Sequence, residues 1–462
     1  MVGGGGFDRI EDALTVKRNN DRVNLIGVVS EMGFSKRTKG TDCICTLKIV
    51  DDSSPTVGIY VNIFQPQFEK LPHVNSAGDI ILLSGLVVKK NMSLVNAVLY
   101  KDSGSFALYD GRDASSFSPY QASSRLIGRR EDKKLFLTRL RQWSATQPNT
   151  ASTDSLSMKE IKEGDDFNLI CKVLHICCSN EGEWMLFVWD GTDAPPLTVN
   201  SDLEEEFDSP LALQLESSPL ERDVLRKFPS VGTVLRMTVE QSNAKLGLHL
   251  FEAGKWVQFR NIGFAARSGL WCGILHAKSK FSLLPVDDDY VLQYQRNYGK
   301  RLKHKRGRMP NTCIPRPSSL TDTEHKDVPF FTLMNILSFR EVTAKFRCVV
   351  RVVAIFPGHP SYFRSHCGGT YRIRLTLEDP TARIHAYLYA EDAEKFFGGY
   401  PSINTMFRMH NALLGIDETD VEKPRNPPWV QCCIKSYATD DTDLWKFRTY
   451  GIFDTTLEGC IG

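Results

Sequence analysis

Apolar and polar positions alternate in short runs along most of this chain, and a two-residue period predicts strands rather than helices. Three of the runs look alike. Val23-Asn24-Leu25-Ile26-Gly27-Val28-Val29, Phe167-Asn168-Leu169-Ile170-Cys171-Lys172-Val173-Leu174 and Phe346-Arg347-Cys348-Val349-Val350-Arg351-Val352-Val353 each read as a first strand. Each leads through a loop to a second strand ending on an acid: Thr46 to Asp51, Leu186 to Asp190, and Arg374 to Asp379. An aspartate suits a tight turn there, because its carboxylate accepts hydrogen bonds from the next backbone amides. A third strand is expected at Gly58 to Phe64, Leu197 to Val199 and Ala382 to Tyr389. Gly78 to Leu82 and Gly232 to Leu235 supply a fourth, and Ile403 to Met409 is its expected equivalent in the last copy.

The markers Asp51, Asp190 and Asp379 lie 139 and 189 residues apart, a period that belongs to domains and is too long for a solenoid. A meander of about five strands per period fits a small closed Greek-key barrel. The chain therefore reads as mostly β, with three consecutive OB-fold domains joined by short helices. The expected boundaries are 1–150 for the first barrel, 151–299 for the second, 300–328 for a basic and Pro/Ser-rich linker, and 329–462 for the C-terminal barrel. Residues 129–143 place Leu135, Phe136, Leu140 and Trp143 at helical spacing, which predicts a helix packed on the first barrel.

Composition narrows the function. With 57 basic and 55 acidic residues the formal charge is +2, so any affinity for nucleic acid must come from local patches. No run of 18 apolar residues is present to cross a membrane, and Met1 to Gly6 lack the features of a secretory leader. The twelve cysteines form no Cys-x-x-Cys pair and read as reduced, buried thiols. His366-Cys367 and Cys432-Cys433 are the candidate soft ligands, but they lack the spacing of structural zinc, and neither metal nor cofactor is expected. Phosphate-loop, zinc-protease and serine-hydrolase signatures are missing, so the chain reads as a binding protein and not an enzyme. Asp287-Asp288-Asp289 reads as a solvated acidic turn.

The first barrel offers the best candidate surface. Lys36 and Lys39 crowd the loop after the first strand, Lys89 and Lys90 end the fourth, and Phe34 and Phe64 lie beside them. Single-strand binders need this mixture, in which cations follow phosphates and rings stack on bases for about 1–3 kcal/mol each. Phe64 alternates with Val61 and Ile63, which leaves a core position open as the other reading. Trp189 ends a strand of the second barrel, where it either stacks a base or is buried. Lys300, Arg301, Lys303, Lys305, Arg306 and Arg308 put six cations in nine residues. That run reads as a nuclear import signal, with a phosphate-tracking arm or a solvated linker as alternatives.

The first barrel resembles the protection-of-telomeres family of single-strand telomeric DNA-binding proteins. The resemblance is carried by Lys39-Gly40-Thr41-Asp42, Ile49-Val50-Asp51, Phe64, Leu71-Pro72, Gly78-Asp79-Ile80 and Ser105 to Gly111. Gly273-Ile274-Leu275-His276, Val342 to Val353 and Arg374 to Ala386 extend it, and the last two resemble the plant branch. The resemblance implies that the first two barrels hold the G-rich 3′ overhang in the nucleus and that the third is a protein-interaction module. It also implies nucleotide contacts for Lys39, Thr41, Asp42 and Phe64, and partnership with telomerase and a CST-type end-capping complex. Strong binders in the family place aromatics where this chain has Glu31, Lys36 and Asn91, which should weaken DNA binding by a few kcal/mol. The family's C-terminal zinc pattern is not evident either. A telomerase or capping-complex adaptor with weak DNA binding is the competing reading. A general binder resembling replication protein A lacks support, because that family's cysteine pattern is missing.

Overall fold

The computed structural model describes residues 6–16, 18–91, 94–123, 130–147, 155–178, 184–200, 211–239, 251–303, 317–365, 369–417, 419–420 and 423–458. Each copy of the sequence repeat folds as a five-stranded barrel. In the first, β1 (Arg22–Gly33), β2 (Cys43–Asp51), β3 (Ser54–Gln65), β4 (Ile80–Asn91) and β5 (Leu94–Leu99) close in the order β1-β2-β3-β5-β4-β1. Only the β3–β5 pair is parallel. The second barrel repeats this order with β6 (Asp166–Cys178), β7 (Trp184–Trp189), β8 (Leu235–Val239), β9 (Trp256–Arg267) and β10 (Leu270–Leu284). The third does so with β11 (Ala344–Phe356), β12 (Arg372–Glu378), β13 (Arg383–Tyr389), β14 (Trp429–Ala438) and β15 (Arg448–Phe453). This is the Greek-key topology of the OB fold.

The two-residue period sets the inside of each barrel. Cys43, Cys45, Leu47 and Ile49 of β2 and Ile59, Val61 and Ile63 of β3 are buried, so Ile44, Thr46, Lys48, Tyr60, Asn62 and Phe64 face outward. Gly58 is needed where β3 bends: its φ is +58°, and a Cβ there would stand 2.5 Å from the Ile49 carbonyl oxygen.

The three acid markers perform one task. Short helical segments precede the first strands: α1 (Ile10–Thr15), a 3₁₀ turn at Met158–Glu160, and the Leu333–Leu337 helix. Asp51, Asp190 and Asp379 each accept a hydrogen bond from the first amide of that segment, at Ile10 (3.1 Å), Met158 (2.7 Å) and Leu333 (2.7 Å). The other carboxylate oxygen takes the amide and hydroxyl of Ser53, Thr192 or Thr381, two residues on. One side chain thus satisfies a helix start and a hairpin turn together.

Several local expectations are corrected. After α2 (Arg130–Thr146), α3 (Asp289–Lys303), α4 (Leu333–Leu337) and α5 (Ala390–Phe397), the segment expected as a strand at Ile403 to Met409 is α6 (Ile403–Leu414). Met406, Met409, His410, Leu413 and Leu414 recur at helical spacing, Ser402 caps the start through the Thr405 amide, and Gly415 ends it with φ +63°. Leu197 to Val199 forms no strand; Val199 makes a single bridge to Arg425 of the third barrel. On α2, Leu137 and Leu140 are buried against the first barrel while Leu135 is 72% exposed. Asp288 is fully buried and accepts the Tyr290 and Val291 amides, so it starts α3 where a solvated turn was expected.

The barrels are joined. Met32 and Gly33 of β1 pair with Phe281 and Lys280 of β10, running one sheet across the first two barrels. At that joint Glu31 is buried, 2.8 Å from Arg260 and 3.5 Å from Lys48, and it accepts the Tyr60 hydroxyl at 3.0 Å. Burial, reinforced by the Glu31 charge, pushes the Tyr60 phenol up to about 12. The second and third barrels meet through Arg383, which donates to the Ala212, Ser268 and Gly269 carbonyls, and Arg351, which donates to that of Leu197. Glu378 lies between the two guanidiniums.

Candidate nucleic-acid interface

The strand register sorts the outward side chains of the first barrel into rows, because directly paired residues project to the same face. One row runs Lys36, Ile44, Phe64 across the short Lys36–Arg37 strand, β2 and β3. A second runs Thr46, Asn62, Val98, and a third Lys48, Tyr60, Asn96, Lys89. Phe64 is therefore half-buried on the outside of the barrel, on the face opposite the inward Val61 and Ile63. Its ring lies parallel to Tyr100, with centroids 6.1 Å apart and planes at 12°. Tyr100 is 43% exposed.

The loop between β1 and β2 is tied to Lys101, the residue that follows Tyr100. Thr38 donates to the Asp42 carbonyl through both its amide and its hydroxyl, each at 2.9 Å. The Asp42 carboxylate meets Lys101 at 2.7 Å and raises the Lys101 ammonium above its usual range. Thr41 and Lys39 are exposed at the loop tip, and Lys36 is half-buried at its base. Lys89 bonds the Asn20 side chain, and Lys90 is exposed at the end of β4. The arrangement combines two stacked rings, a polar loop and a set of ammonium groups, which is what an unpaired strand requires. Tyr100 and Lys101 escaped the sequence reading because they follow the last strand of the barrel, outside the alternating runs.

Three expected site residues are placed elsewhere. Phe34 packs on Phe281 (5.1 Å) and Phe251 (6.1 Å) of the second barrel, so its ring serves the joint between barrels and is not offered to a base. Trp189 is 6% exposed and packed against Tyr298 (4.4 Å) and Trp256 (6.2 Å), which leaves it no open face for stacking. In the basic run, residues 300–303 form the last turn of α3, and Arg301 bonds both carboxylate oxygens of Asp193 at 2.8 Å. Lys300 and Lys303 are exposed, while Lys305, Arg306 and Arg308 lie outside the described residues.

The second barrel's matching face is covered by the chain itself. Phe187, outward on β7, is fully buried against Phe228 at 5.7 Å and clusters with Val234 and with Met334 of α4. Its neighbour across the sheet, Arg236, is held by both oxygens of Glu216 at 2.9 and 3.1 Å. Of the candidate soft ligands, Cys432 and Cys433 are buried neighbours on β14, so their thiols point to opposite faces and cannot converge on one ion. Burial pushes the Cys432 thiol up to about 12. His366 and Cys367 lie outside the described residues. Among the described residues no cluster of three or more His, Cys, Asp or Glu side chains is placed to hold a metal.

A family model described as telomeric single stranded DNA binding POT1/CDC13 matches residues 6–154, and one described as POT1A-like, OB fold domain, matches residues 316–443. Protection of telomeres protein 1b of Arabidopsis thaliana is 39% identical over 98% of this chain and 97% of its own length. Protection of telomeres protein 1a of the same plant is 37% identical over 97% of each. A crystal structure of fission yeast Pot1 and ssDNA aligns with 64% of this chain and 95% of its own at 17% identity, with a TM-score of 0.27.

Proposed function

This chain belongs to the protection-of-telomeres family, and from that membership we propose that it binds the single-stranded G-rich telomeric DNA of chromosome ends and caps it. The observation that carries the reading is the stacked Phe64–Tyr100 pair, beside the Lys101 that anchors the β1–β2 loop through Asp42, inside the residues matched by the telomeric DNA-binding family model. In this reading the first barrel supplies the strand contacts. Phe64 and Tyr100 stack bases, Thr41 and Asp42 meet base or sugar groups, and Lys36, Lys39, Lys89 and Lys90 follow phosphates. The relatives imply work in the nucleus at telomeres. Import through Lys300–Arg308, regulation of telomerase, and contact with a CST-type complex through the first or third barrel complete the proposal.

The adaptor reading, with weak DNA binding, draws support from the covered face of the second barrel and from Glu31, whose carboxylate serves the joint between barrels. A gel shift of the purified chain decides between them, using G-rich telomeric repeats, their C-rich complement and a scrambled strand at low salt. Preferential retention of the G-rich strand is expected; equal or absent retention of all three refutes DNA binding as the main activity.

A further inference from the structure

The repeat places a counterpart of the first barrel's outer sheet on the third barrel. In the first barrel the outward positions counted back from Asp51 are Lys48, Thr46 and Ile44, paired with Tyr60, Asn62 and Phe64. Counted back equally from Asp379 they are Thr376, Arg374 and Arg372, paired with His385, Tyr387 and Tyr389. Tyr389 therefore stands where Phe64 stands. In the second barrel the corresponding Phe187 and Met185 are packed under the chain's own residues. In the third, Thr376, the counterpart of Phe187, is buried too, but the face opens towards its other end. Tyr387 is 42% exposed and Tyr389 53%. Alternate residues on a strand lie about 6.6 Å apart, so the two rings form a regular series along β13.

The charges on this face point to an anion. The Arg372 guanidinium lies 5.7 Å from the Tyr389 ring centre and that of Arg374 4.9 Å from Phe356. Among the described residues neither is within ion-pair distance of a carboxylate, and the buried Nε of Arg374 has no hydrogen-bond partner. Arg236, Arg301, Arg351 and Arg383, by contrast, are each matched to an acid. The nearby Asp392 is taken by Lys435. Beyond Tyr387 the face continues into a cleft of about 350 Å³ against the second barrel, lined by His385, Arg448 and Tyr450. Burial and the neighbouring Arg374 and Arg383 hold the His385 imidazole down at about 4, so it is neutral at physiological pH and adds a polar ring without charge.

We propose that the outer sheet of the third barrel is a second contact for single-stranded DNA, with Tyr387 and Tyr389 stacking bases and Arg372 and Arg374 holding phosphates. The proposal rests on the reading of the first barrel as a DNA site. Its test uses the full chain and two G-rich telomeric strands, of about 10 and about 30 nucleotides, since one OB fold covers about 4–16. Arg372→Ala/Arg374→Ala/Tyr389→Ala should weaken the long strand at least 10-fold and leave the short strand unchanged. It should also make the salt slope of the long strand shallower by about 1.4, at about 0.7 per phosphate contact. Tyr389→Phe should retain the affinity. A long strand carrying 5-iododeoxyuridine should crosslink to Tyr387 or Tyr389 of the unaltered chain, a readout that does not depend on any variant folding. Crosslinks confined to the first barrel, or an unchanged long-strand Kd and slope in the triple variant, overturn the proposal. So does an effect seen with an RNA strand and not with DNA. Loss of the short strand in Phe64→Ala/Tyr100→Ala reports on the first barrel alone, so failure of that reading is told apart from failure of this one.

Discussion

Replacing Phe64 with alanine separates recognition from folding. The ring is half-buried on the outer side of β3, between the inward Ile63 and Gln65, and among the described residues Tyr100 is its one aromatic neighbour. Fully burying a phenylalanine contributes roughly 1.5–3 kcal/mol, so losing a half-buried one should cost about 1 kcal/mol of stability. A core residue such as the fully buried Phe106 should cost about 3–5 kcal/mol on the same change. DNA affinity should fall by about 1–3 kcal/mol if the ring stacks a base, roughly 5- to 150-fold in Kd. Tyr100 shares the stack, so the Phe64/Tyr100 double variant should depart from additivity by about 0.5–1.5 kcal/mol. Fluorescence anisotropy at fixed salt, beside thermal melting of the free protein, measures both effects. A variant that melts like Phe106→Ala shows that the ring belongs to the core. One that melts and binds like the parent removes Phe64 from the site.

Three further outcomes are expected. Glu31→Gln leaves Arg260 and Lys48 without their carboxylate at the joint between barrels; partial exposure of Arg260 sets the cost at about 2–3 kcal/mol, below that of a fully buried pair. An unchanged urea midpoint would contradict it. Burial raises the Asp379 carboxyl to about 6 in the folded chain, against about 3.9 unfolded, so the native state holds its proton more tightly. The stability this confers is whole below pH 4 and is lost as pH rises through 6, about 3 kcal/mol in all. The unfolding free energy of the parent minus that of Asp379→Asn should fall across pH 4–6.5, and a flat difference refutes the assignment. Neutralising Lys303, Lys305 and Arg306 should leave a tagged chain in the cytoplasm, and undiminished nuclear accumulation places the import signal elsewhere.

The repeat was legible because alternation and turn chemistry are local. Asp51, Asp190 and Asp379 stood out in the sequence, although their bonds to Ile10, Met158 and Leu333 span 32 to 46 residues and needed the fold to appear. Ile403 to Met409 was misread because a short apolar run carries both periods, and the cap at Ser402 and stop at Gly415 decide between them. Phe34, Trp189 and Arg301 share another cause. Each has the chemistry of a ligand contact, but its partner, Phe281, Tyr298 or Asp193, comes from a distant part of the chain. The third barrel's rings went unremarked for the opposite reason: Tyr387 and Tyr389 alternate with Ala386 and Leu388 as any strand residues do, and only the register aligns them with Phe64.

The covering of the second barrel also bears on how the chain can be divided. Phe187, Phe228 and Val234 are sealed in part by Met334 and Ala382, which arrive from beyond the basic run. A polypeptide ending before residue 317 would present those apolar side chains to water as one patch, a setting for self-association and precipitation. Fragments that keep the third barrel should stay dispersed at concentrations where a two-barrel fragment does not, and replacing Phe187 with a polar residue would trade that stickiness for a loosened attachment in the whole protein.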